Sequence, residues 1–109
     1  MKKYLTLFLA AFFFNAGVLF AQTTSTVEVK GNCGMCKTRI EKAALKAGAE
    51  KATWDTKSKM LELVISKKDL KVEDIQKAIA EVGHDTGEFI ATDEAYNALH
   101  SCCKYRDKK

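Results

Sequence analysis

The stretch Val27-Glu28-Val29-Lys30-Gly31-Asn32-Cys33-Gly34-Met35-Cys36-Lys37 decides the architecture, because two regular elements meet inside it at a pair of cysteines. Thr26 to Lys30 alternates polar and apolar with Val27 and Val29 on one face, the pattern of a half-buried strand. Gly31-Asn32 breaks that pattern. From Cys36 onward Ile40, Ala43, Ala44 and Ala47 recur on one helical face, and Gly48 is placed to cap the helix C-terminus. The two cysteines therefore lie where a strand ends and a helix begins. Backbone N–H groups and the positive end of the helix dipole stabilise thiolates there, lowering the pKa below the roughly 8.5 of a free cysteine. Lys37 adds a neighbouring positive charge.

Downstream, Ala52 and Trp54 alternate with Lys51, Thr53 and Asp55 as a second strand, and Thr56-Lys57-Ser58-Lys59 reads as a turn. In the third strand Leu61, Leu63 and Ile65 face one way and Met60, Glu62 and Val64 the other. After Asp69, read as an N-cap, Val72, Ile75, Ile79 and Val82 recur at helical spacing until Gly83 closes the helix. A short strand around Glu88 to Ala91 completes the series. The order strand, helix, strand, strand, helix, strand predicts an α+β, ferredoxin-like βαββαβ sandwich with both helices on one face of an antiparallel sheet. Residues 93–103 predict a short additional helix with Tyr96, Leu99 and Cys103 along one side, the first two packing it onto the domain.

Residues 1–21 have the layout of a secretory signal peptide: Lys2 and Lys3, an apolar run from Tyr4 to Phe20, then Ala21 before the polar Gln22-Thr23-Thr24-Ser25. Cleavage after Ala21 predicts an exported, periplasmic product without stable membrane insertion. It divides the chain into residues 1–21, a domain over 22–92 and a C-terminal tail over 93–109. Losing Lys2 and Lys3 takes the formal charge from +4 to about +2, too weak a bias to indicate nucleic acid. The basic residues Lys104, Arg106, Lys108 and Lys109 read as a solvated, frayed end. An exported chain with four cysteines is by default a disulfide candidate.

Cys33-Gly34-Met35-Cys36 admits several chemistries. A c-type haem site needs histidine directly after the second cysteine, where Lys37 stands. Thioredoxin-like oxidoreductases set a cis-proline against their cysteine pair, and this chain contains no proline. A disulfide, a four-ligand zinc site and transfer of a metal between thiolates remain. No nucleophile with a suitably spaced histidine and acid is evident, so an enzyme is not indicated.

The stretch from Val27 to Ile90 resembles the heavy-metal-associated domain, the fold of copper chaperones, of copper ATPase N-terminal modules and of periplasmic mercury-binding proteins. The resemblance rests on the strand ending at Cys33-Gly34-Met35-Cys36, the helix that follows, Trp54-Asp55 before a turn, and Gly83-His84-Asp85, similar to the family's usual Gly-Tyr-Asp. Three departures matter. Gly31 stands where the family usually has methionine, so the loop is expected to pack differently. His84 replaces an aromatic residue common in bacterial members, in a loop that the family places beside the cysteines. The segment His100-Ser101-Cys102-Cys103 lies outside the usual domain.

Cys33 and Cys36 are the main predicted metal ligands. His84, expected to be exposed, is a candidate ligand or an ordinary loop residue. His100, Cys102 and Cys103 add ligands to the main site, hold a second metal or form a disulfide. His100 and Cys103 can share a helical face, whereas adjacent cysteines on a helix point about 100° apart. Met35 offers a soft thioether, but a methionine between two ligating thiols is expected to pack under the loop. Two thiolates on an open loop suit Cu(I); Hg(II) fits the same softness argument, and Zn(II) becomes a rival if the tail supplies further ligands. The predicted function is carriage of the ion and its handover, thiolate by thiolate, to another metal-binding domain, a transporter or an efflux component. The alternative is thiol-disulfide chemistry in which Cys102 or Cys103 resolves a bond to Cys33 or Cys36.

Overall fold

The computed structural model describes residues 22–107, so the segment 1–21 read as a signal peptide and Lys108 and Lys109 lie outside the described residues. Strand β1 (Thr23–Glu28) leads into helix α1 (Gly34–Ala47), the hairpin β2 (Lys51–Trp54) and β3 (Met60–Ile65), and helix α2 (Val72–Glu81). A short helix α3 (Asp93–Asn97) and two single 3₁₀ turns, Ser101–Cys103 and Tyr105–Asp107, follow. The sheet is antiparallel in the order β1-β3-β2, with Val27 opposite Leu61 and Trp54 opposite Leu61 on the other side.

The alternation in β3 does what its spacing predicts: Leu61, Leu63 and Ile65 are buried and Glu62 is exposed. Against that face pack Ile40, Ala43 and Ala44 of α1 and Ile75 and Ile79 of α2, joined by Val29 and Trp54. The alanines of α1 bring that helix close to its neighbours. Gly48 ends α1 with φ 121°, a conformation that costs glycine nothing. The start of α2 differs from expectation. Its N-cap is Lys71 rather than Asp69, and the Asp74 carboxylate accepts the Lys71 N–H at 3.0 Å. Val82, expected on the buried face, lies just past the helix end and is exposed.

The fourth strand is the first correction. Residues 88–91 form no strand; the chain returns to the sheet earlier, through a bridge between Thr86 and Val29. Lys30 N–H donates to the Asp85 carbonyl at 2.8 Å and Gly87 N–H to the Glu28 carbonyl at 3.1 Å. Pairing stops there because the chain turns back on itself, Thr86 N–H donating to the Phe89 carbonyl at 2.8 Å. The topology is still the ferredoxin-like one, with this vestigial fourth strand beside β1.

The tail is the second correction. It is no continuous helix, yet Tyr96, Leu99, Cys103 and Tyr105 are all buried in the main core. Thr92 caps α3 by accepting the Ala95 N–H at 3.1 Å. Gly83 shows why the tail can lie so close: its φ is 108°, and a Cβ there would sit 2.9 Å from both the Ala95 carbonyl oxygen and a Leu99 methyl. Among the described residues, no helix is long and apolar enough to cross a membrane.

Candidate metal centre

Cys33 is the N-cap of α1, extended at φ −140° and ψ −177°, and its carbonyl accepts the Lys37 N–H at 3.0 Å as the first helical bond. The helix thus begins between the two cysteines, leaving Cys33 partly exposed and turning Cys36 into the core. Their sulfurs are 3.8 Å apart. The Cys33 thiol is lowered to about 7, chiefly by the backbone N–H of Cys36. The charge expected from Lys37 goes elsewhere: its ammonium pairs with Glu41 and donates to the Trp54 carbonyl at 2.9 Å.

A third thiol joins the pair. Cys103 Sγ lies 3.8 Å from Cys33 Sγ, and the sulfurs of Cys33, Cys36 and Cys103 all fall within 4.8 Å of one another. Burial, first, and the neighbouring thiols push Cys103 up to about 12, against the opposing pull of Arg39, whose Nη1 donates to Cys103 Sγ at 3.5 Å. Arg39 is one helical turn beyond Cys36, on the same side of α1, a spacing by which the sequence could have revealed it. The tail is tied to the loop by the Cys102 carbonyl, which accepts from Asn32 Nδ2 at 3.4 Å and from Cys33 Sγ at 3.6 Å.

The floor of the loop is Trp54. Its indole N–H donates to the Val29 carbonyl at 3.0 Å, and a Cβ on Gly31 would meet the ring at 3.1 Å and Cys36 Cβ at 3.1 Å. The indole occupies the space beside Gly31, which explains why a large side chain is absent there. Met35 does not pack beneath the loop as expected. It is 47% exposed, and its sulfur is 3.5 Å from Cys102 Sγ.

The remaining predicted ligands are placed apart. His84 is fully buried instead of exposed, because Tyr105 of the tail stacks on it with ring centroids 5.6 Å apart. Its Nδ1 lies 2.8 Å from the Lys30 carbonyl and so carries the proton, while Nε2 has no hydrogen-bond partner among the described residues. Burial lowers its pKa, keeping the imidazole neutral. His84 lies outside the sulfur group and works as a core residue under the loop. His100 is exposed at the start of a 3₁₀ turn and contributes its carbonyl, which accepts the Cys103 N–H at 2.8 Å. With the helix ending at Asn97 and a separate 3₁₀ turn starting at Ser101, His100 and Cys103 do not share the expected helical face.

Sequence reading missed the latch that holds the tail. Arg106, far from frayed, donates through Nη2 to Asp85 Oδ1 and to the Ala91 carbonyl, both at 2.8 Å, and lies 4.4 Å over the Tyr96 ring. Asp85 loses solvation on burial, yet the Arg106 hydrogen bonds and the Ala91 N–H hold its carboxyl below the usual carboxylate value. Tyr105 Oη accepts the Asp85 N–H and donates to the Gly83 carbonyl, both at 2.8 Å. Removing one partner of a buried pair strands the other charge. Arg106→Ala is therefore expected to cost about 3 kcal/mol, the low end for such a break because Arg106 is 27% exposed, as read from denaturant unfolding. The Cys103 thiol should at the same time become more reactive toward an alkylating reagent.

No family model and no curated protein matches the chain by sequence. Solved structures do. The chain is similar to the "CopZ metallochaperone" at 21% identity and a TM-score of 0.55, over 59% of this chain and 98% of that one. It is similar to a putative copper-ion-binding protein from Bacillus anthracis str. Ames at 24% identity and 0.56, over 62% and 99%. It is similar to oxidized MerP from Ralstonia metallidurans CH34 at 23% and 0.57, over 62% and 96%. At these identities the likeness establishes the fold: the α+β, ferredoxin-like fold of the heavy-metal-associated domains, as the sequence resemblance implied.

Proposed function

We propose that the protein is an exported carrier of a soft metal ion, Cu(I), which it binds through Cys33 and Cys36 with Cys103 as a third sulfur and hands to a partner. The observation that carries this is the convergence of three thiols from opposite ends of the domain, with successive gaps of 3.8 Å. With metal–sulfur bonds of about 2.3 Å, as in zinc thiolates, an ion in the plane of three sulfurs spaces them by about 4 Å, whereas linear coordination by two needs about 4.6 Å. The observed spacing suits three sulfurs. A tetrahedral zinc site wants a fourth ligand, and neither His84, His100 nor Cys102 belongs to the group. Low coordination by thiolates favours Cu(I), with Hg(II) next on softness. Neighbours of similar fold include a putative copper-ion-binding protein and the Cu(I)-loaded N-terminal domain of a potential copper-translocating P-type ATPase, which supports the same class of ion.

Handover follows from unequal exposure. Cys33 is the accessible member of the three, and its pKa of about 7 makes it the easiest to ionise. An incoming thiolate bonds to the ion as the Cys33–metal bond breaks, while Cys36 and Cys103 hold the ion from the core side. The recipient would be another metal-binding domain, such as that of a transporter or efflux component; one neighbour of similar fold is the N-terminal domain of a potential copper-translocating P-type ATPase from Bacillus subtilis. Binding and release of an ion require no catalysis, and export to the periplasm rests on the leader-like residues 1–21. The test is anaerobic competition of the reduced protein with a chromophoric chelator, once for Cu(I) and once for Zn(II). Tight uptake of a first Cu(I), with much weaker Zn(II) binding, is expected. Failure to compete for Cu(I) would overturn the reading and leave zinc or thiol-disulfide chemistry.

A further inference from the structure

Two sulfurs near the proposed centre take no part in it. Cys102 Sγ lies 3.8 Å from Cys103 Sγ and 3.5 Å from the thioether of Met35. The five sulfur atoms thus form a ladder, Met35, Cys102, Cys103, Cys33, Cys36, in which no step exceeds 3.8 Å. Cys103 is common to both halves. Packing does not account for the outer half. Met35 is 47% exposed and Cys102 is exposed, so neither side chain fills a core position. Their approach also spans the molecule, joining the first turn of α1 to the end of the tail.

We propose that Met35, Cys102 and a bridging Cys103 thiolate bind a second Cu(I) ion beside the first. The inference rests on the reading of Cys33, Cys36 and Cys103 as a Cu(I) centre. Thiolate and thioether are soft donors suited to Cu(I). The 3.5 and 3.8 Å gaps repeat the spacing of the inner half. Charge favours sharing: the second cation arrives with one further thiolate, Cys102, whose proton is released, so the formal charge of the cluster does not grow. The Arg39 guanidinium beside Cys103 offsets part of the negative charge that the thiolates bring. The thioether, a neutral soft ligand, makes the outer half selective for Cu(I) over Zn(II). The outer ion faces solvent, where a partner would meet it first.

The experiment is an anaerobic Cu(I) titration of the reduced protein, with ions per chain counted by native mass spectrometry and affinities set by chelator competition. Wild type, Cys102→Ser and Met35→Leu are compared. Wild type should hold two ions in a single chain, Cys102→Ser one, and Met35→Leu a second ion weakened at least tenfold, the first ion's affinity being the same in all three. Saturation of wild type at one tightly held ion would overturn the second site and leave the carrier reading standing. Two ions retained by Cys102→Ser, or two ions found only in a complex of two chains, would overturn it as well. No uptake at all would sink the carrier reading and this inference together.

Discussion

Cys33→Ser is expected to weaken binding of the first Cu(I) by more than about 100-fold, since even residues that merely orient metal ligands cost 10–100-fold when removed. The effect should have a pH signature. Metal binding releases thiol protons, so apparent affinity rises with pH, by one power of ten per unit for each proton displaced. Cys33, lowered to about 7, is largely protonated below that pH and largely ionised above it. Cys103, pushed up to about 12, stays protonated across the whole working range. The slope of log affinity against pH should therefore fall by one proton as pH rises through about 7 in the wild type. In Cys33→Ser that break should vanish. Cys103→Ser should keep the break and lose one proton from the slope on both sides of it. Chelator competition between pH 5.5 and 8.5, an interval chosen to straddle about 7, reads all three results. An unbroken slope in the wild type would mean that Cys33 is not the thiol that ionises first.

Trp54→Ala should produce the largest loss of stability, about 3–5 kcal/mol, the range for truncating a buried aromatic. Trp54 is fully buried in the core beside Ile40 and Leu61. Its backbone is fixed as well, since its N–H donates to Glu41 at 2.8 Å and its carbonyl accepts from Lys37. Removing the indole leaves a cavity under Gly31 and Cys36 and an unpartnered Val29 carbonyl. Trp54→Phe separates the two causes. It fills most of the cavity and should cost about 1–3 kcal/mol, mainly for the stranded carbonyl. Urea unfolding of the reduced protein measures both. If alanine and phenylalanine cost the same, packing beneath the cysteine loop is not what Trp54 supplies.

What was legible in the sequence was local. Period-two alternation in β3 and the 3.6-residue recurrence in α1 and α2 survive folding because one face of each element must leave water. The Cys33 and Cys36 pair was readable for the same reason: the strand end at Glu28 and the helix start at Gly34 fix its surroundings with little help from the rest of the chain. The topology was readable from the order of those elements, strand, helix, strand, strand, helix, strand, and the family resemblance implied the same fold.

The sequence by itself determined the elements, their order and the first two sulfurs, because backbone hydrogen bonding and burial of one face act within a few residues. Tertiary structure decided the rest. The fourth strand shrank to Thr86 because the Phe89 N–H, the next donor toward β1, is taken by Thr86 Oγ1 as the chain turns back. His84 became a core residue only because Tyr105 stacks on it, twenty-one residues downstream. Cys103 reached Cys33 across the domain through Arg106 and Asp85, a pair that no periodicity announces. Such contacts depend on which surfaces the chain closes over one another, and that choice is made by the whole core rather than by any one segment.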